Sequence, residues 1–316
     1  MIRKLITLAI SLLILGAIYY KIDVAQLAAV FANIDPGFMA VSLGMVVPLT
    51  LLTAWRLRIL APTRANIGFA EAIRLILAAS SLNMILPSKM GDIAKAYFMK
   101  SKTARGSFTL SLVIFEKTAD ILSLLFWCAL GLLLYPHKDA IFWILTMAVM
   151  SGLVMGIALL ASPRLASFAF ASTARLISER KMQKLHALQS GWKEMQEFFW
   201  SDKSRVMRVS TWSILIWFLH LLQIWLFILA LRASAPFVAG LALAPLAILA
   251  GLLPFTFAGI GSRDAALIVL YKPYIDAPAA AALGLLCTTR YVIPAIAGLP
   301  FLQRYLGRIA TAKSAT

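Results

Sequence analysis

Charged residues are scarce in this chain of 316 residues. Asp, Glu, Lys and Arg make up 14% of the sequence, whereas hydrophobic residues make up 61%. A soluble domain carries about 25% charged residues. This deficit excludes an ordinary soluble domain. The long apolar runs instead predict an all-α, polytopic membrane protein, whose solvent is the bilayer.

Cysteine and histidine are also rare, with two cysteines and three histidines in the whole sequence. Cys128 and Cys287 both lie inside apolar runs, so no disulfide framework is expected. The sequence has no His-rich or Asp-rich set of metal ligands and no nucleotide-binding motif. We therefore expect no metal ion and no cofactor.

Acidic residues are few, and the net charge is +17. Such a charge often indicates a nucleic-acid-binding protein. Here the basic residues lie in short segments between apolar runs, where Lys and Arg determine membrane topology and attract anionic lipids. We therefore expect membrane lipids with an anionic headgroup as partners, and no nucleic acid.

Six apolar runs are long enough to cross a bilayer as helices. The predicted full spans are residues 5–20, 36–55, 110–134, 140–162, 209–231 and 277–301. The first run follows a basic amino terminus, as in a signal peptide, but Tyr19, Tyr20 and Lys21 stand where a small-residue cleavage site would be. It is therefore predicted to be an uncleaved span.

Two further apolar segments, 67–100 and 236–271, are interrupted by Pro, Gly and charged residues. Each is short for two crossings joined by a turn and too interrupted for one long helix. Both are therefore predicted to be re-entrant helical hairpins, which enter and leave the membrane on the same side.

Positive charge predicts the orientation, because Lys and Arg collect on the cytoplasmic side of a membrane. Basic clusters occur at Arg3 and Lys4, at Arg56, Arg58 and Arg64, within 163–208, and at Arg304, Arg308 and Lys313. Placing all of them inside puts both termini in the cytoplasm, the first hairpin on the cytoplasmic side and the second on the outer side. Segment 163–208 mixes charged and apolar residues and is predicted to be amphipathic helix on the inner leaflet.

The two halves of the chain then have the same order of elements, namely span, span, hairpin and span, in opposite orientation. Pro87 followed by Gly91 in the first hairpin parallels Pro254 followed by Gly261 in the second. This pattern predicts an inverted-topology repeat. The predicted units are residues 1–135 and 136–316. Alternatively, the likeness reflects only the Pro and Gly that any hairpin needs.

The break in the first hairpin exposes the amino terminus of a half-helix, which carries partial positive charge and binds anions. Gly91 permits the turn, and Asp92 can cap the half-helix 93–100. Lys89 and Lys95 flank the break. We expect these residues to contact a phosphate headgroup. The alternative is that both lysines are only topology signals.

The break in the second hairpin has the same kind of chemistry. Gly259 and Gly261 allow close approach of the backbone, and Ser262 or Asp264 can cap the following helix. Arg263 places a cation at the break. A second anion contact is therefore expected here, although the glycines would also serve tight packing alone.

Polar residues inside the spans complete the candidate site, because charges in a membrane usually face a cavity or a partner. Arg290 falls near the middle of the last span, and Glu116, Lys117 and Asp120 lie in the third. Glu116 and Asp120 are one helical turn apart on one face. Arg290 is expected either to contact substrate or to pair with one of these carboxylates. Asn83 lies just before the first break.

These residues resemble the membrane region of lysylphosphatidylglycerol synthase, also described as the flippase-like integral membrane family, over nearly the whole chain. The likeness depends on Asn83, Leu86-Pro87, Gly91-Asp92, Lys95, Glu116-Lys117, Asp120, Leu253-Pro254, Ala258 to Asp264, and Arg290. The family pattern has Arg at the positions of Lys95 and Lys117, Gly at Ala258 and Glu at Asp264. Lys lacks the bidentate fork of Arg, so the phosphate contact is expected to be looser.

The resemblance implies a lipid flippase or transporter of the bacterial inner membrane, moving an anionic phospholipid or an isoprenoid-linked lipid between leaflets. The soluble domain that transfers lysine from transfer RNA in the full-length synthase has no counterpart in this chain, which argues against aminoacyl transfer. Four cations are expected to neutralise the phosphate: Lys89, Lys95, Arg263 and Arg290. Three carboxylates are expected to hold them when the site is empty: Glu116, Asp120 and Asp264.

Two other classes of function remain open at this point. An intramembrane lipid-modifying transferase would use Glu116 and Asp120 as catalytic carboxylates. A membrane anchor subunit would bind a separate lipid-synthesising enzyme on the surface of 163–208. The sequence also allows a homo-oligomer.

Overall fold

A computed structural model describes the conformation of residues 24–61, 67–86, 91–99, 106–136, 138–175, 179–252 and 260–314, together with Leu13, Gly16, Tyr20 and Ile22. Most of the predicted first span, the residues Pro87 and Lys89, and the segment 253–259 with its Gly259 lie outside the described residues. Their assignments therefore stay predictions from the sequence.

The described chain is entirely helical apart from its connections, and no β-strand occurs in these ranges. The helices are α1 (Val24–Ala32), α2 (Pro36–Gly44), α3 (Val46–Leu60), α4 (Phe69–Asn83), α5 (Gly91–Phe98), α6 (Gly106–Leu134), α7 (Ala140–Ala161), α8 (Pro163–Ala174), α9 (Glu179–Trp200), α10 (Lys203–Ala230), α11 (Phe237–Leu252), α12 (Ser262–Tyr271) and α13 (Ala277–Ser314).

Five helical stretches of the described chain are long and apolar enough to cross a membrane. They are Pro36–Leu60, Ser107–Leu134, Ala140–Ala161, Lys203–Ala230 and Ala277–Gly307. Each overlaps a predicted span, and the ends of the two differ by at most six residues. The all-α, polytopic fold is therefore confirmed for this part of the chain.

Local capping explains where several of these helices begin. The Asp35 carboxylate accepts hydrogen bonds from the backbone N–H groups of Gly37 and Phe38, at 2.9 and 3.0 Å, and so starts α2. Asp202 accepts from the N–H of Ser204 at 2.9 Å, and α10 therefore begins six residues before the predicted span, in a basic turn.

Each interrupted segment contains two separate helices among its described residues, and its re-entrant course stays a prediction. The first gives α4 and α5, and the second gives α11 and α12. A Cβ atom on Gly91 would lie 2.5 Å from the carbonyl oxygen of Ala79, so only glycine lets α5 pack this closely on α4. Gly261 has a φ of 100°, a left-handed conformation that favours glycine.

The first helix of each interrupted segment packs against a long span from the other half of the chain. Helix α4 packs along α13, and α11 packs along α6. Glycine permits both crossings: a Cβ on Gly298 would lie 2.0 Å from the carbonyl oxygen of Leu77, and one on Gly131 would lie 2.4 Å from the Ala242 nitrogen. These two close approaches hold the first helix of each interrupted segment against a span of the other half.

Segment 163–208 forms α8, α9 and the first turn of α10. Helix α9 is more than a surface helix, because its inner face packs on α6. The ring of Phe115 lies 5.7 Å from that of Trp192 and 4.6 Å from that of Phe199, between ring centroids. The apolar face of this amphipathic segment therefore packs on a span, while its polar face is exposed.

Candidate functional site

The largest group of buried charges surrounds a cavity of about 190 Å³. The cavity is lined from both interrupted segments, by Asn83, Asp92 and Lys95 on one side and by Ile260 and Arg263 on the other. The remaining charged residues of its wall come from the spans and are Arg56, Glu116, Lys117, Asp120 and Arg290. The structure thus brings most of the predicted site residues together.

Lys95 and Glu116 form the innermost ion pair of the first half. The Lys95 Nζ lies 2.5 Å from Glu116 Oε2, and the two side chains are 0% and 1% exposed. Helix α5 places Lys95 against α6 because Gly91 lets α5 approach the bundle. The sequence prediction that Lys95 could pair with a carboxylate of the third span is confirmed.

Arg56 is a central member of the site that sequence reasoning assigned wrongly. The positive-inside pattern predicts a cytoplasmic topology signal at this position, but Arg56 is 1% exposed and contacts two carboxylates of α6. Its Nη2 lies 3.3 Å from Glu116 Oε1, and its Nη1 lies 2.5 Å from Asp120 Oδ1. The signal was present in the sequence, because the apolar residues Leu57, Ile59 and Leu60 continue the helix beyond Arg56.

These contacts belong to a chain of six alternating charges. Asp120 also forms an ion pair with Lys117, whose Nζ lies 3.2 Å from Asp120 Oδ2. The same Nζ lies 3.0 Å from Asp92 Oδ2. In order, the chain runs Lys95, Glu116, Arg56, Asp120, Lys117 and Asp92. It is electrically balanced, is buried at the Lys95 end and is partly exposed at the Lys117 end, where that side chain is 41% exposed.

Arg263 is held by its neighbour in the second half. Its Nε and Nη2 lie 2.9 and 2.6 Å from Asp264 Oδ1, while Asp264 Oδ2 accepts from the backbone N–H of Gly261 at 3.0 Å. Asp264 therefore starts α12, as predicted, and also neutralises the arginine. Arg263 further donates to the Thr288 hydroxyl at 2.7 Å and to the Gly284 carbonyl at 3.0 Å, both on α13.

Arg290 differs from the other buried cations of the cavity. It is 3% exposed, and its contacts within the described chain are neutral. It donates to the Tyr291 hydroxyl at 2.9 Å and, more weakly at 3.4 Å, to the Gln223 side-chain oxygen and the His220 carbonyl. The alternative that Arg290 pairs with Glu116 or Asp120 is wrong for this structure.

Several polar atoms of the cavity wall lack a hydrogen-bond partner within the part of the chain that the structure describes. They include Nε of Arg56, Nε of Arg290 and Oδ1 of Asn83, all of them buried. Buried polar atoms in proteins are normally satisfied. The donors on Arg56 and Arg290 and the acceptor on Asn83 thus remain available to a bound molecule.

The carboxylates of the cavity are already engaged by cations. Nowhere in the described ranges do three or more His, Cys, Asp or Glu side chains come together in an arrangement that would hold a metal ion. What the arrangement offers is a balanced charge network on one wall and, on the other, a buried guanidinium with neutral neighbours.

The fold and this cavity define a polytopic, all-α membrane protein with a charged site between its helices. Residues 4–298 match the family described as the lysylphosphatidylglycerol synthase TM region, and the chain belongs to this family. It is also 25% identical to the UPF0104 membrane protein of Methanothermobacter thermautotrophicus, over 81% of this chain and 85% of that relative. The resemblance inferred from the sequence is thus confirmed.

Proposed function

We propose that the protein is a lipid flippase, which moves an anionic phospholipid or an isoprenoid-linked lipid phosphate between the two leaflets of the membrane. The observation that supports this most is Arg290, a buried cation in the cavity whose contacts within the described chain are all neutral. Family membership supports a role connected with membrane lipids.

Burial of Arg290 is costly without an anion. A charged side chain inside a membrane is expensive, and such residues usually face a partner or a wet cavity. The guanidinium group is well suited to phosphate, because its planar fork donates two parallel hydrogen bonds. A phosphate would give Arg290 a negatively charged partner, which its neutral contacts do not provide, and a hydrogen-bond acceptor for its Nε–H.

The dimensions and lining of the cavity suit a headgroup better than a whole lipid. A single water molecule needs roughly 10–15 Å³ of such space, so 190 Å³ accommodates a phosphate with its substituent. Apolar side chains complete the wall, among them Val46, Leu49 and Ile216. In the proposed mechanism the headgroup passes through the cavity while the acyl chains stay in the bilayer.

The six-membered charge network would hold the first half in place when no lipid is bound. Each of its cations already has a carboxylate, so Lys95 contributes to the headgroup site only if it leaves Glu116. We propose that the headgroup binds first at Arg290 and that any exchange involving Lys95 follows. The engagement of Glu116 and Asp120 by cations also makes them poor candidates for the acid and base of a transferase.

An inverted repeat would give such a site its alternating access. Its support is the reciprocal packing, with α4 on α13 and α11 on α6. The pairs Pro87 and Pro254, and Gly131 and Gly298, also have the same sequence separation. We propose that the hairpins enter from opposite faces, that both termini are cytoplasmic and that the membrane is a bacterial inner membrane, as the basic loops predict.

The proposal is tested by reconstituting the pure protein in liposomes. Trace headgroup-labelled phosphatidylglycerol, phosphatidylethanolamine or a polyprenyl phosphate is added, and its transfer to the protected leaflet is measured against protein-free liposomes. We expect transfer of an anionic lipid without any change in its mass. No transfer by protein with native helical content would contradict the proposal, and a new lipid mass would indicate a transferase instead.

A further inference from the structure

A second cavity lies outside the central site, between α8 and α9. Its volume is about 600 Å³, and it is lined by Arg164 and Phe170 on α8 and by His186, Trp192 and Lys193 on α9, among others. We propose that this groove binds the headgroup of an anionic phospholipid from the adjacent leaflet. The proposal does not depend on the lipid flippase function.

The groove is fixed at the end of a membrane span. Ser162 alone separates α8 from α7, and its hydroxyl accepts from the backbone N–H of Leu165 at 3.3 Å. From α9, the Gln196 amide donates to the carbonyls of Leu159 and Leu160 at 3.1 and 3.0 Å. Because these carbonyls belong to the last turn of α7, the groove lies at the level where that span leaves the bilayer.

The outer face of α8 is apolar where it would meet lipid. Leu165 and Phe168 are exposed, the latter by 71%, although they lie on the same helix as the basic groove residue Arg164. A helix with exposed apolar side chains next to a span lies in the membrane interface. This favours a lipid as the occupant over an acidic segment of a soluble protein.

The polar groups of the groove suit a phosphate. Arg164 and Lys193 supply two positive charges, and the nearest carboxylate to Lys193 is that of Glu197 at 3.9 Å, an exposed pair of small energetic value. The side chain of Trp192 is buried, with an exposed fraction of 8%. Its indole N–H has no acceptor within the described chain. Tryptophan is typical of the membrane interface, where its ring is apolar and its N–H is polar.

The test requires a readout confined to the groove, because the central cavity would also bind anionic lipid. Ser190 lines the groove and is exposed, so a photoreactive benzoylphenylalanine at this position reports on its occupant. The full chain carrying this probe is irradiated in vesicles that contain trace labelled phosphatidylglycerol or, for comparison, labelled phosphatidylcholine.

Two double variants with the same change of charge are compared in this probe background. Arg164→Gln with Lys193→Gln removes the groove cations. Arg175→Gln with Lys184→Gln removes two exposed basic residues that do not line the groove, one at the end of α8 and one on α9. A basic side chain that contacts the headgroup directly is expected to strengthen binding about fivefold. We therefore expect the groove variant to bind phosphatidylglycerol about 25-fold more weakly, and the control variant to bind within twofold of the parent.

Three results would overturn the proposal: equal crosslinking of phosphatidylglycerol and phosphatidylcholine, equal yields in the two double variants, or predominant capture of a polypeptide when the probe is irradiated in native membranes. Replacing Arg290 by Gln should leave the Ser190 crosslink unchanged. A loss of lipid transfer therefore tests the flippase proposal, and a loss of this crosslink tests the groove.

Discussion

Replacing Glu116 by Gln removes the carboxylate that lies between Lys95 and Arg56. Lys95 then loses its ion-pair partner at 2.5 Å while remaining fully buried, whereas Arg56 keeps Asp120 at 2.5 Å. Removing one partner of a buried ion pair costs about 3–5 kcal/mol, because the other charge stays buried without compensation. We expect Glu116→Gln to lower the free energy of unfolding by about that amount.

A double-mutant cycle separates the ion pair from other effects of the substitution. In Lys95→Met combined with Glu116→Gln, neither member of the pair is charged. The double variant should therefore be more stable than Glu116→Gln alone, with a coupling energy of about 2 kcal/mol. The free energies are measured by reversible unfolding in mixed micelles as the fraction of denaturing detergent is raised, with helical circular dichroism as the signal.

The matched control is Glu197→Gln. Glu197 is exposed and lies 3.9 Å from Lys193, so its neutralisation should change the unfolding free energy by less than about 1 kcal/mol. If Glu116→Gln costs no more than this control, or if the cycle gives additive effects, then the Lys95–Glu116 pair does not hold α5 against α6 and the reasoning is refuted.

Three further substitutions, and one control, have expected outcomes in the same unfolding measurement. Gly298→Ala places a Cβ 2.0 Å from a carbonyl oxygen of α4 and should cost about 1–3 kcal/mol, whereas Gly307→Ala, with open space around it, should be neutral or slightly stabilising. Gly284→Ala places a Cβ 2.8 Å from Asp264 Oδ1. It should lower the free energy of unfolding, because the added methyl group displaces the Asp264 carboxylate from Arg263. Arg56→Lys should cost about 1–3 kcal/mol, because Lys cannot reach both carboxylates as a fork does. A variant Arg56→Lys as stable as the parent would show that one of the two contacts contributes nothing.

The spans could be predicted from the sequence because length and apolarity alone determine which helices cross a bilayer. The two interrupted segments could also be predicted, because Pro, Gly and charged residues interrupt their long apolar runs. The outer limits of the helices were less predictable. Caps such as Asp202 extend a helix into polar sequence, and hydropathy does not detect them.

The members of the site were easier to predict than their pairings. Lys95, Glu116 and Asp120 were identified because charges are costly in a membrane. Arg56 was missed, because the positive-inside rule assigns an arginine near the end of an apolar run to the cytoplasm. Its pairing with residues 60 and 64 positions away depends on how α3 packs against α6 and α10, which a local pattern does not contain.

The contacts of Arg290 were also beyond local reasoning. A carboxylate partner was one of two expectations for Arg290, the other being a substrate contact. In the described structure the carboxylates of α6 are paired with Arg56, Lys95 and Lys117. Gln223, a neutral residue of α10, contacts Arg290 instead and also donates to the Ser42 carbonyl at 2.7 Å. The distinction between a structural cation and a candidate anion site therefore appears only in the folded arrangement.

The most direct test of the central claim is transfer of the headgroup-labelled anionic lipid in liposomes by three variants at matched protein density. Arg290→Gln removes the buried cation, Arg290→Lys keeps its charge, and Arg304→Gln removes an exposed cation from the same helix. With all three folded, we predict transfer lost in Arg290→Gln, partly retained in Arg290→Lys and unchanged in Arg304→Gln. Normal transfer by well-folded Arg290→Gln would contradict the account.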